Sequence, residues 1–210
     1  MRAASFLIIL GLLALASALT LFFFTFYPVF LNEANYLFKR PQAKSLVLKS
    51  DEEKPAGKTV IVAQDEEFGI VIPKIGANAK VLENVNPLDS QEYQRALTKG
   101  VAHAKGTATP GKNGNIFIFS HSSANFYEAG RYNSIFYLLN KMEKGDEIYL
   151  FYKKKKYKYL VTEKKTVDPK DISYLSPQSD KKQLTLMTCW PPGTTFKRLL
   201  VIGELVEENP

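Results

Sequence analysis

Residues 115–121 read N-I-F-I-F-S-H, and this short stretch decides which kind of fold the chain can form. Four consecutive apolar side chains, two of them β-branched, are followed by Ser120 and His121. A continuous apolar run of this length, closed by polar residues, predicts a strand that is buried. The preceding Gly111-Lys-Asn-Gly segment is a turn signal. We therefore expect a β-rich domain in which His121 lies at the end of a buried strand.

Further strand patterns occur on both sides of this stretch. Short apolar or alternating segments, bounded by Gly, Pro, Asn and Asp, predict strands at residues 68–73, 80–85, 100–104, 146–152, 157–162, 183–190 and 197–206. Seven or eight short strands, with only brief helices between them, predict a mainly β domain that forms a closed or nearly closed barrel. Residues 59–210 are long enough to bury one such core.

Two helices are expected inside the domain. Residues 90–97 form a short helical pattern with Ser90 as its N-cap. In residues 132–142, Ile135, Leu138, Leu139 and Met142 fall on one face of an α-helix, which predicts that this helix packs against the barrel.

The N-terminal segment has a different character, because residues 5–30 carry no charged side chain. A helix of about 20 apolar residues is enough to cross a bilayer. The small residues Ala16-Ser17-Ala18 also permit a cleaved signal peptide. The apolar run continues past them through Phe24, beyond the length of a signal core, which favours a retained anchor. We expect a short tail at 1–4, a transmembrane helix at 5–30 and a polar linker at 31–58, with a short helix over 32–38. Positive charges on the two sides of the span are nearly balanced, so they leave its orientation open.

The chain has a formal net charge of +7 and a single cysteine. One cysteine excludes an intramolecular disulfide, so the thiol is either a buried small side chain or a reactive group. Lysines cluster at 153–156, either as a solvated hairpin tip or as a surface that attracts an anionic membrane or cell-wall polymer. No nucleic-acid-binding motif accompanies these lysines, and no nucleic-acid partner is expected.

The thiol, Cys189, ends the predicted strand Thr185-Leu-Met-Thr-Cys. A free thiol with a pKa of about 8.5 is only about 3% ionised at pH 7, so a reactive one needs a nearby base or cation. Arg198 opens the next predicted strand after the loop 190–197. If these two strands pair as an antiparallel hairpin, Arg198 returns beside Cys189.

Four blocks of sequence, in consistent order over about residues 68–206, resemble the sortase family. The T-L-M-T-C block at 185–189 resembles the segment that carries the family's cysteine, and G-N-I-F-I-F-S-H at 114–121 resembles the strand that carries its histidine. G-V-A-H-A-K-G-T-A-T-P-G at 100–111 and I-P-K-I-G at 72–76 resemble two further family segments.

The resemblance implies a sortase-like barrel and a role for several side chains. Cys189 is expected to form a thioacyl-enzyme with a sorting-signal peptide of an exported protein. His121 is expected to protonate the leaving amine and to deprotonate an amine acceptor, and Arg198 to hold the substrate and stabilise the oxyanion. The expected groove or positioning residues are Thr188, His103, Ser120, Ser122 and Trp190. Thr188 resembles a family threonine that helps to position the arginine, and His103 is either a groove residue or a core histidine satisfied by a hydrogen bond.

No metal or organic cofactor is implied by the resemblance. Three carboxylates, Glu83, Asp89 and Glu92, are interpreted as ordinary surface groups. Many relatives have Gly and Arg where this chain has Ser120 and Ser122, which implies a differently shaped histidine side of the groove.

The same resemblance bears on subclass and location. Residues before 68 lack an Asp-Pro-aromatic lid motif, which argues against the lidded pilin-polymerising type, and the link 167–183 is too short for the helix of the haem-uptake type. Sorting substrates imply a single-pass membrane protein with its catalytic domain outside the cell. Two alternatives remain: another exported cysteine peptidase or transpeptidase of the papain-like or L,D-transpeptidase kind, and an inactive membrane-tethered binding module.

Overall fold

The computed structural model describes residues 2–38, 61–122, 135–176 and 180–209, and the chain divides into two units, Met1–Arg40 and Pro41–Pro210. The first unit consists of helix α1, Arg2–Phe38. Its segment Phe6–Phe24 has a mean hydropathy of 2.6 and is long and apolar enough to cross a membrane. At a rise of about 1.5 Å per residue these residues span about 28 Å, close to the thickness of a hydrocarbon core.

Helix α1 also covers part of the predicted linker. The helix runs past residue 30 to Phe38, so the short helix expected at 32–38 is the continuation of α1. The rest of the predicted linker, residues 39–58, lies outside the described residues.

The second unit is the predicted barrel, and it has eight strands. They are β1 (Phe68–Ile72), β2 (Ala77–Val85), β3 (Val101–Ala104), β4 (Gly114–Phe119), β5 (Glu147–Tyr152), β6 (Lys155–Val167), β7 (Lys182–Trp190) and β8 (Lys197–Asn209). The strands close in the order β1-β2-β3-β4-β7-β8-β6-β5, with β5 paired to β1. The prediction of a closed, mainly β barrel is therefore confirmed.

Two of the strand pairs are parallel, and both affect the functional part of the fold. Strand β2 pairs with β3, and β4 pairs with β7. A parallel pair needs a crossover connection rather than a tight hairpin. The β2–β3 crossover contains helix α2 (Ser90–Leu97), which contacts β2 and β3.

Strand β4 is buried on both faces, as its continuous apolar run predicts. Ile116 and Ile118 point into the cluster that fills the barrel. Phe117 and Phe119 point outward into a second cluster, which α2 and the link between β6 and β7 help to cover. Because successive side chains alternate between the faces of a strand, this outer layer requires apolar residues at the alternate positions.

The hairpin predicted around the lysines is present and has a two-residue turn. Lys153 and Lys154 have φ values of 50° and 63°, the left-handed conformation that such tight hairpins require. Their N–H groups donate hydrogen bonds to the carbonyl oxygens of Glu67 and Glu66, at 2.9 and 3.0 Å. Their side chains are exposed, which agrees with the interpretation of this segment as a solvated hairpin tip.

An α-helix is predicted over residues 132–142, but the structure has a different type of helix in the part of this segment that it describes. Residues 132–134 lie outside the described residues, and Tyr137–Lys141 form a 3₁₀-helix. The fully buried side chains are Phe136, Leu139 and Met142, which are three residues apart. A 3₁₀-helix has three residues per turn, so this spacing places all three on one face.

The N-cap of α2 is Asp89, not Ser90 as predicted. The Asp89 carboxylate accepts hydrogen bonds from the N–H groups of Gln91 and Glu92, at 3.0 and 3.1 Å. Ser90 is the first residue of the helix itself. A carboxylate at this position also interacts favourably with the positive end of the helix dipole.

This cap makes a test of local stability possible. We expect Asp89→Ala to lower the free energy of unfolding by about 1 kcal/mol, because two helical N–H groups lose their acceptor. Ser90→Ala is the matched control and should change the free energy by about a few tenths of that amount at most. The measurement is chemical denaturation of the protein in detergent micelles. A larger loss for Ser90→Ala would contradict the assignment of the cap.

Candidate active site

The ends of β4 and β7 lie side by side. The parallel ladder aligns Phe119 with Met187, and the Ser120 N–H donates a hydrogen bond to the Met187 carbonyl at 3.1 Å. The Thr188 hydroxyl then donates to the Ser120 carbonyl at 2.9 Å. Continued by two more positions, this alignment brings His121 opposite Cys189.

The partner strand on the other side of β7 supplies an arginine. Strands β7 and β8 are antiparallel, and Cys189 is paired directly with Arg198, as the hairpin interpretation predicts. Residues directly opposite in an antiparallel pair have their Cβ atoms about 4.5–5.5 Å apart on the same face of the sheet. The thiol and the guanidinium group therefore project from the same face.

A groove of about 430 Å³ lies over the outer face of β4 and β7 and contains these three side chains. Its floor is apolar and is formed by Phe117, Phe119 and Met187. The residues that line it are Pro87, Leu88, Tyr93, Gln94, Leu97, Phe117, Phe119, Ser120, His121, Ser122, Pro169, Ile172, Tyr174, Leu175, Met187, Cys189, Gly193, Thr194, Thr195 and Arg198.

One wall of the groove is helix α2, which the sequence predicts without indicating that it has this role. The Nε2 atom of His121 lies 3.1 Å from the Oε1 atom of Gln94. Tyr93 packs edge-on against Phe119, with ring centroids 6.3 Å apart. The one sequence signal for this wall is the short helical pattern that contains Gln94.

The opposite wall is the link between β6 and β7, which includes a 3₁₀-turn, Ser173–Leu175. The Tyr174 ring stacks on Phe117 with centroids 5.5 Å apart and an interplanar angle of 19°. The Asn115 side chain donates a hydrogen bond to the Tyr174 carbonyl at 3.0 Å and accepts one from the Thr185 hydroxyl at 2.8 Å. Burial raises the pKa of the Tyr174 phenol. Sequence reasoning missed both Asn115 and Tyr174.

The Arg198 guanidinium is held by its own loop. Nη1 donates hydrogen bonds to the carbonyl oxygens of Thr195 and Lys197, at 3.1 and 3.2 Å. Within the described part of the chain, its Nε and Nη2 groups make no hydrogen bond. These N–H groups are therefore available to a carbonyl or an oxyanion in the groove.

The structure brings some of the other predicted site residues to the groove and leaves others away from it. Ser120 and Ser122 line the groove and are buried. Thr188 is buried, and its hydroxyl donates a hydrogen bond to the Ser120 carbonyl at the end of β4. Trp190 packs against the interior of the barrel and does not line the groove.

His103 is a core residue and lies outside the groove. It is fully buried, and its Nε2 atom lies 2.9 Å from both the Ala108 carbonyl and the Thr107 hydroxyl. Its Nδ1 atom accepts a hydrogen bond of 3.4 Å from the Asn84 N–H. Burial lowers the pKa of this imidazole, since the charged form would be desolvated.

The three surface carboxylates have structural contacts. Glu83 accepts a hydrogen bond from the Tyr152 hydroxyl, Asp89 caps α2, and Glu92 accepts from the Asn86 N–H. Among residues 2–38, 61–122, 135–176 and 180–209, no group of three or more His, Cys, Asp or Glu side chains is arranged to hold a metal ion.

Residues 70–206 match the family model described as "Sortase: Sortase domain". The chain is 29% identical over 180 residues to sortase D of Bacillus subtilis, covering 84% of this chain and 82% of that protein. It is 30% identical to sortase A of Listeria monocytogenes, covering 65% of this chain and 54% of the relative. The crystal structure of sortase C-1 from Actinomyces oris aligns with a TM-score of 0.57 at 29% identity, covering 69% of this chain and 76% of that one.

The environment of His103 predicts how the stability of the barrel depends on pH. Its pKa is lower in the folded protein than the ordinary value of 6.5, so the unfolded chain binds more protons in this range. Stability should therefore fall as the pH is lowered below about 6.5. The lowered pKa values of Asp65, Glu143, Glu147 and Asp171 cause losses only at pH values below about 4.5. Thermal unfolding between pH 7 and 5 measures the effect.

The matched variant for this prediction is His103→Gln, which keeps a hydrogen-bonding side chain but does not titrate. It should flatten the decline in melting temperature between pH 7 and 5. A decline as steep as that of the wild-type protein would show that another group is responsible.

Proposed function

The chain belongs to the sortase family of cysteine transpeptidases, and on that premise we propose that Cys189, His121 and Arg198 carry out the reaction. The observation that carries this proposal is the register of the strands. Arg198 is paired with Cys189, and His121 follows a strand whose alignment with β7 leads to the same point. The family model and the relatives named above give no support to the two alternatives, another exported cysteine peptidase or transpeptidase and an inactive binding module.

In the first half of the reaction, the Cys189 thiol gives its proton to His121, and the resulting thiolate attacks the scissile carbonyl carbon of a sorting-signal peptide. A carbon–sulfur bond forms, and the carbon–nitrogen bond breaks. The departing amine takes its proton from His121. The free N–H groups of Arg198 donate hydrogen bonds to the oxygen that becomes negatively charged in between.

In the second half, an amine acceptor attacks the thioester carbonyl. The new carbon–nitrogen bond replaces the carbon–sulfur bond, and His121 takes the proton that the amine loses.

The apolar floor of Phe117, Phe119 and Met187 favours apolar side chains in the peptide that is cleaved. Among the described residues, no Asp, Glu or Lys lines the groove, which also favours an uncharged peptide segment there.

The remaining site residues have supporting roles in this proposal. Thr188 holds the end of β4 through the Ser120 carbonyl and so keeps His121 near Cys189. Ser120 and Ser122 shape the histidine side of the groove. Trp190 stiffens the base of the loop that carries the carbonyl partners of Arg198, because it packs on the barrel interior.

We expect Cys189→Ala and Cys189→Ser to abolish turnover while the barrel stays folded, since covalent catalysis depends on the thiol. His121→Ala should lower kcat/KM by about 10²–10⁴-fold, the usual contribution of a general acid and base. Arg198→Lys should also cause a large loss, because the planar guanidinium donors are not replaced by an ammonium group. The measurement is kcat/KM on one peptide, with folding checked by circular dichroism.

The matched control for these variants is His103→Gln, which changes the other histidine of the chain. It should lose at most about ten-fold, because it alters hydrogen bonds in the core only. Mass spectrometry should find the acyl group of a slow substrate on Cys189. A nearly normal His121→Ala enzyme, together with an inactive His103→Gln enzyme of native fold, would rule out this assignment.

We also propose a location for the protein and boundaries for its parts. Residues 5–30 remain in the membrane as an anchor, residues 1–4 are cytoplasmic, and residues 31–58 connect the anchor to the catalytic domain at 59–210. The domain lies on the extracellular face, where exported substrates and cell-surface amines occur. The apolar segment Phe6–Phe24 supports the anchor, and the family supports the outer location, since its substrates are exported.

Protease treatment of intact cells tests this topology. The catalytic domain should be released and a short membrane fragment retained, because only the outer part is accessible. Lysed cells are the control for accessibility. Full protection in intact cells would overturn the orientation, and a mature N-terminus near residue 19 would overturn the anchor.

A further inference from the structure

The contact between His121 and Gln94 has a chemical consequence of its own. Gln94 lies in α2, a helix fixed at its start by the Asp89 cap and at its end by the buried Leu97. The Gln94 side chain is partly buried in the wall of the groove, and its Oε1 atom lies 3.1 Å from His121 Nε2. A rigid element therefore presents an amide oxygen to one particular ring nitrogen.

An amide oxygen accepts hydrogen bonds and cannot donate them, so Nε2 must carry a proton for this contact to form. In the neutral ring the proton then resides on Nε2, and Nδ1 holds the lone pair. The partner of one ring nitrogen sets the protonation of the other, as is usual for functional histidines.

We propose that Gln94 is a positioning residue that fixes the orientation and the tautomer of His121, so that Nδ1 is the nitrogen that gives and takes the proton. This inference rests on the proposed role of His121 as general acid and base. Gln94 acts through the imidazole and does not bond to the reacting atoms. Because its amide is neutral, Gln94 orients the ring without placing a negative charge beside it.

Other groups that line the groove contribute to any pH dependence measured there. Among the described residues they are Cys189 on β7, Arg198 on β8, Tyr93 on α2 and Tyr174 on the β6–β7 link. These groups are unchanged in Gln94 variants, so differences between such variants report on the Gln94 contact.

Nitrogen-15 NMR of the full chain in detergent micelles, labelled at histidine, tests the tautomer directly. The chain has two histidines, and the spectrum of His121→Ala assigns the two rings. Neutral His121 should show a protonated Nε2 and an unprotonated Nδ1. Gln94→Leu, which removes the acceptor, should give a mixture of tautomers. His103 is the internal reference, because its Nε2 faces the Ala108 carbonyl in every variant.

Kinetics of three variants test the consequence for catalysis. Gln94→Leu should lower kcat by about five- to ten-fold, with KM changed less than about two-fold, since one orienting hydrogen bond is lost. Gln94→Glu keeps the acceptor and should recover most of kcat at its own optimum. The added carboxylate favours the imidazolium and should move the corresponding limb of the kcat/KM profile upward by about one pH unit. Gln91→Leu makes the same substitution on the exposed side of α2 and should match the wild-type protein.

Two results would overturn the inference: a protonated Nδ1 in neutral wild-type His121, or a Gln94→Leu enzyme that behaves like Gln91→Leu. A raised KM with unchanged kcat in Gln94→Leu would also overturn it, since that pattern indicates direct contact with the peptide. If His121→Ala retains turnover, the proposed function fails and the tautomer measurement still stands. If His121→Ala is inactive and Gln94→Leu is normal, only the role of Gln94 fails.

Discussion

The parallel pairing of β4 with β7 is the constraint on which the candidate active site depends. Side chains alternate between the two faces of a strand, so a slip of one residue would exchange the inner and outer sets. His121 would then point toward the barrel interior and away from Cys189. Backbone hydrogen bonds along six aligned positions fix this register, and closure of the barrel holds β4 and β7 between β3 and β8.

The strand patterns in the sequence were sufficient to predict the barrel. The position of the loop 190–197 between two predicted strands was sufficient to predict that Cys189 pairs with Arg198. Both follow from local periodicity. The walls of the groove could not be predicted in this way, because Gln94 and Tyr174 reach the site through packing between segments that are distant in sequence. His103 was ambiguous for a related reason: its strand is four residues long and buried on both faces, so alternation does not reveal where the side chain points.

The lining of the groove carries little charge in the part of the chain that the structure describes. Among residues 2–38, 61–122, 135–176 and 180–209, Arg198 is the one lysine or arginine that lines it. An apolar floor lowers the local dielectric constant, so that the few hydrogen-bond donors at one end have a stronger effect than they would in water. The groove thus combines an apolar surface for the peptide with polar groups concentrated where charge develops during the reaction.

Asn115 lies on the same strand as Phe117, whose ring Tyr174 covers, and one amide side chain joins this strand to the facing wall. A substitution at Asn115, which does not itself line the groove, would therefore change the width of the groove. During divergence of related enzymes, replacement of this amide by a shorter or longer side chain would move the Tyr174 wall and change which peptides fit. The cysteine, the histidine and the arginine would be inherited unchanged, so selectivity and chemistry can evolve separately in this barrel.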